Sequence, residues 1–128
     1  MTQMTPNPPL LSTLENYLKL TTSRELAISA NMANVDTPGY HTRDINFEGE
    51  LNRAISRDLS ATGTGSEGVQ LSPVVQQVPG LLERPDGNNV SLDREGLLLS
   101  ETQLQYQIGI QLIKHHFHGL LSAISGGN

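Results

Sequence analysis

The chain has 128 residues, the length of one ordinary domain. Eight scattered Lys and Arg against thirteen Asp and Glu give a net charge of −5, which argues against a nucleic-acid-binding stripe. The absence of Cys excludes disulfide scaffolds and Cys-based metal sites, and three Tyr, two Phe and no Trp are a thin supply for a globular core.

Residues 1–9 read as a polar, Pro-rich tail, and MTQMTPNPPLL lacks the basic and long apolar regions of a cleavable secretory signal. A helix is predicted over 10–35, starting anywhere from Pro8 to Thr13, with Ser12-Thr13-Leu14-Glu15 matching a capping box. Leu11, Leu14, Leu18, Ile28, Met32 and Val35 share one 3-4 register, interrupted by Thr21 and Glu25. Leu14, Leu18, Ile28 and Met32 are the expected helix-pairing residues, while Leu20 and Ala27 fall on other faces. A Glu on such a seam reads as a device for selecting a register. Asp36-Thr37-Pro38-Gly39 ends the helix, since the residue before Pro avoids helical angles and Pro-Gly suits a type II turn.

Residues 36–90 are expected to form a loop-rich middle. The stretch 40–55 reads as extended or weakly helical, and 56–68 as a flexible Gly-rich loop. Val69–Leu71 and Val74–Val78 suit short strands broken by Pro73 and Pro79, and Asp86-Gly87 is a turn signal.

A second helix is predicted over 91–125, stopped by Gly126-Gly127, with fraying expected near Gly96. Tyr106, Ile110, Ile113, Phe117, Leu120 and Ile124 form one apolar stripe, and Leu104, Ile108 and Leu112 project roughly opposite it at about 100° per residue. One helix covers one side only, so Ile108, Ile110, Ile113, Phe117 and Leu120 are expected to meet further partners or a lipid surface. The predicted fold is mostly α: two long antiparallel terminal helices, paired as a coiled-coil-like hairpin, joined by the loop-rich middle with short β elements. An isolated copy is expected to have partly disordered ends.

The most specific segment is Ser29-Ala-Asn-Met-Ala-Asn-Val-Asp-Thr-Pro-Gly-Tyr40. Ala30 and Ala33 permit close helix approach, Asn31 and Asn34 are placed to bind neighbouring backbone or cap carbonyls, and Thr37, Pro38, Gly39 and Tyr40 set how the chain leaves. Asn31 to Tyr40 resembles the N-x-A-N-x-x-T-P-G-Y signature of the flagellar axial family of rod and hook proteins. Arg43–Phe47, Asp86–Glu95, Leu104–Gln107 and the final Gly-Gly-Asn narrow the resemblance to the proximal rod. It covers about residues 10–55 and 80–128. It implies a structural subunit in the basal-body rod of the periplasmic space, exported by the flagellar type III apparatus without a cleaved signal. It further implies self-assembly through paired terminal helices, torque transmission, and contacts with other rod subunits, the adaptor FliE, the MS ring and the export gate.

Other readings carry less. His115 and His118 are spaced to share a metal ion but lack a third ligand nearby, so a solvated or inter-subunit face is the plainer account. Ser, Asp and His form no nucleophile-base arrangement, so no enzyme, cofactor or small-molecule substrate is expected. The alternatives are another proximal-rod subunit, or a membrane-surface helical adaptor using 104–124. The latter calls for a Lys-rich polar face, yet Lys114 is the only Lys there.

Overall fold

The computed structural model describes residues 8–60 and 72–126. Its elements run α1 (Pro8–Ala33), β1 (Arg43–Ile45), α2 (Phe47–Ser60), β2 (Val75–Gln77) and α3 (Leu92–Ser125). The described chain is mostly helical, with one small two-stranded antiparallel sheet. Most of the expected N-terminal tail, the loop over 61–68 and the strand over 69–71 lie outside the described residues.

Helix α1 begins at Pro8, where a missing backbone donor costs nothing. Ser12 therefore sits inside the helix, and the expected capping box does not start it. Two faces of α1 are engaged. On one, the Tyr17 ring meets Phe47 edge-on at 5.6 Å, and the Arg24 guanidinium lies over the same Phe47 while pairing with Asp44 at 3.1 Å. Burial raises the Tyr17 hydroxyl pKa above its usual value. On the other face, α1 packs against α3. This double engagement buries Leu20 and Ala27 beside Leu14 and Ile28, although a single 3-4 register leaves the first two out. Leu18, Glu25 and Met32 are half-buried, and the wholly buried Thr21 donates its hydroxyl to Leu18 O at 2.7 Å.

Residues 40–55, read as extended or weakly helical, hold strand β1 and then helix α2, which runs on through 56–60 where a loop is expected. Asn46 caps it, accepting from the Gly49 amide at 3.1 Å, and Glu48 and Glu50 occupy the first turn, where the helix dipole favours them. Ala54 is buried and Phe47, Leu51 and Ile55 are half-buried, so tertiary packing of one apolar face holds a helix of weak intrinsic propensity.

Strands β1 and β2 pair with Arg43 opposite Gln77 and Ile45 opposite Val75. Helix α3 starts at a Ser91 cap whose hydroxyl accepts from the Arg94 amide, and it continues unbroken through Gly96. Asn31 of α1 meets Glu95 of α3, and Leu18 and Tyr17 of α1 lie where a Gly109 side chain would be. The contact order reverses between the helices, a geometry broadly consistent with the expected hairpin. Seven-residue spacing puts the buried Glu95, Thr102 and Gly109 in one column along α3.

Candidate assembly interface

Two features make up the site: a polar clamp around the Asn31–Tyr40 turn, and the apolar flanks of α3.

Asn31 is 1% exposed and uses its whole hydrogen-bonding capacity. Its Nδ2 donates to Arg43 O at 2.8 Å and to Glu95 Oε2 at 3.1 Å, while its Oδ1 accepts from Arg43 N and from the Tyr40 hydroxyl, both at 3.0 Å. The side chain thus stands in for a strand along the free edge of β1. Asn34 folds back, donating to Ala30 O at 2.8 Å and accepting from the Thr37 hydroxyl at 3.0 Å. The Tyr40 amide closes the Thr37–Tyr40 turn on Thr37 O at 3.2 Å, with Gly39 at φ +75° in the position a type II turn reserves for Gly.

A second segment locks onto this turn from 81–91. Asn88, fully buried, donates from Nδ2 to Asn34 O at 2.9 Å and Thr37 O at 2.8 Å, and its Oδ1 accepts from Val90 N at 2.8 Å. Arg84 donates to Val90 O at 2.8 Å and to Val35 O, so one guanidinium ties a carbonyl just past the end of α1 to one just before α3. Asn89 Oδ1 accepts from Thr42 N at 2.6 Å. Gly39 N donates to Asp86 O at 2.9 Å, and a Cβ on Gly87 (φ +84°) would stand 3.2 Å from the Gly39 Cα. The two Gly turns are stacked backbone on backbone.

His41 flanks the clamp, its ring 3.0 Å from Glu83 and 3.4 Å from Gln77. These hydrogen bonds, that to Glu83 foremost, raise its pKa above 6.5. Sequence reasoning gave roles to Asn31, Asn34 and the Pro38-Gly39 turn, whereas Asn88, Asn89 and Glu95 entered it only within the Asp86–Glu95 resemblance and Arg84 not at all. Nothing local marks the contacts those four make, because each acts across 47 to 64 residues of chain.

The column Glu95, Thr102 and Gly109 faces α1, and apolar columns flank it. Ile108 and Phe117 are each 47% exposed, Leu104, Leu112 and Tyr106 are exposed, and Ile110, Ile113 and Leu120 are half-buried. A shallow hollow of about 580 Å³ runs along Leu104, Ile108, Leu112 and His115. Among the described residues, no three or more His, Cys, Asp or Glu converge as a metal site, and no helix is long and apolar enough to cross a membrane.

The flagellar basal body rod protein FlgB of Salmonella typhimurium is 34% identical over 126 residues, covering 89% of this chain and 91% of that protein. The chain belongs to the FlgB family of flagellar basal body rod proteins. FlgB of Escherichia coli is 31% identical over the same coverage, and FlgB of Bacillus subtilis is 29% identical over 91% of this chain and 94% of its own length. No protein-family model matches the chain. It is a structural subunit of the flagellar basal body rod and not an enzyme. The FlgB likeness agrees with the narrower resemblance carried by Asp86–Glu95.

Proposed function

We propose that this FlgB-family subunit polymerises through its terminal helices in the proximal rod, where the packed helices transmit torque. Within one copy, α1 and α3 pair in a coiled-coil-like manner through Leu14, Leu18, Ile28 and Met32. Ile108, Ile110, Ile113, Phe117 and Leu120 meet neighbouring copies and other rod subunits. Asn31, Asn34, Thr37, Pro38, Gly39 and Tyr40 fix the exit of the chain from α1. FliE, the MS ring and the export gate are the proximal neighbours, and the subunit reaches the periplasmic rod through the type III apparatus. Functionally, the chain divides into a tail over 1–9, axial helices over 10–35 and 91–125, and a middle over 36–90.

One observation carries this reading. Helix α3 gives α1 a polar and small-residue column and leaves apolar side chains exposed on both flanks. Apolar surface on that scale marks a binding surface. A lipid surface is the poorer occupant, because Lys114 is the only Lys or Arg between 104 and 124.

In-cell photo-cross-linking from positions 108 and 113 tests it. Capture of different rod-component partners from the two positions is the expected result. Failure of both positions to capture any basal-body component in motile cells contradicts the reading.

A further inference from the structure

Glu95 has no exposed surface, whereas the other acidic residues of α3, Asp93 and Glu101, are solvent-facing. Its carboxylate is held by Asn31 Nδ2 at 3.1 Å and by Arg94 Nη1 at 2.8 Å. Nothing in helix pairing requires a charge there. An apolar residue at this point would pack against α1 without a desolvation cost.

What Glu95 does require is one rotation of α3 about its axis. At about 100° per residue, the Tyr106–Ile110–Phe117 column lies about 60° from the Glu95–Thr102–Gly109 column, the half-buried Ile113 and Leu120 continue the inward column, and the Leu104–Ile108–Leu112 column lies about 120° to the other side. Either apolar column would bury more oil against α1 than Thr102 and Gly109 do. Turning α3 to bring one inward breaks the Glu95 contact and strands an Asn31 amide proton in a site that is 1% exposed. It also removes Leu18 and Tyr17 from the notch left by Gly109.

We propose that Glu95, acting through Asn31, is a rotation-selecting residue that keeps Tyr106, Phe117 and the Leu104–Ile108–Leu112 column of α3 turned outward, where neighbours in the rod reach them. It is a positioning residue: a buried polar pair that specifies one packing among competitors. The purpose of the outward faces rests on the rod reading. The lock itself is read on the isolated chain, so its failure and the failure of that reading are separate results.

The absence of Cys makes the test clean. Ile108→Cys and Phe117→Cys are introduced singly, and the rate of thiol modification is followed. In the parent chain both positions are half-exposed and react readily. In the Asn31→Leu, Glu95→Leu background, one of the two is expected to slow by about tenfold or more, with helical circular dichroism retained. Glu95→Gln keeps an acceptor for Asn31 and should leave both rates at the parent value. Unchanged rates in the double variant overturn the proposal. So does loss of its helical signal, because a competing rotation must then be unavailable, and so does equal slowing in Glu95→Gln.

Discussion

Asn31 joins α1, β1, the signature turn and α3 through four hydrogen bonds from one side chain. Truncation leaves the Arg43 backbone and the Glu95 carboxylate short of partners in a dry site. Asn31→Ala is therefore expected to lower the unfolding free energy by about 2–3 kcal/mol, measured by urea denaturation. His41 makes a smaller, pH-dependent contribution. Its folded pKa lies above the unfolded 6.5, chiefly through the Glu83 hydrogen bond. That stabilisation is complete below the unfolded value and is lost as pH rises through the raised folded value. Glu83→Gln should thus destabilise more at about pH 5.5 than at about pH 8.5, and an equal effect at both would contradict the pairing. At this scale the sequence spoke for one half of each contact. Pro38-Gly39 announces its own turn because Gly39 needs a positive φ. Asn31 and Asn34 stand out as poor helix formers among small residues. The burial of Glu95 and Asn88 has no such signal, because a polar residue read alone looks solvated.

Among elements, α1 and α3 were legible from apolar spacing, Pro near the start of one and Ser91 before the other. Helix α2 was not, although Phe47, Leu51, Ala54 and Ile55 fall at i, i+4, i+7 and i+8 after the Asn46 cap. Gly49 and the polar run obscured a pattern that the packing of α1 makes decisive. The orientation of α3 was also hidden. Periodicity identifies its apolar columns but gives no reason why a Glu, a Thr and a Gly should face the partner helix instead. Gly109 and Gly119, alike in the sequence, differ in the fold. A Cβ on Gly109 would lie 2.7 Å from Leu18 Cδ2 and 3.1 Å from the Tyr17 ring, while one on Gly119 meets nothing within 4 Å. Gly119→Ala is expected to raise stability by up to about 1 kcal/mol, from helix propensity alone. Gly109→Val should lower it by about 1–3 kcal/mol, as overpacking pushes α1 and α3 apart. Thermal melts of the two variants check both signs.

For the molecule as a whole, seven apolar side chains are buried among the described residues, and fifteen large ones are exposed, nine of them on α3. Each side chain covered on assembly contributes roughly 1.5–3 kcal/mol at full burial, so in the assembly proposed above neighbours supply what a single copy lacks. The clamp holds the base of α3 firmly, whereas among the described residues its far end has little besides α1 beside it. Amide hydrogen exchange on the isolated chain tests this division most directly. Residues 92–102 should exchange slowly and the helix beyond about residue 112 quickly, because local opening there breaks few buried contacts. Strong protection running through 106–124 in a lone copy would contradict the account.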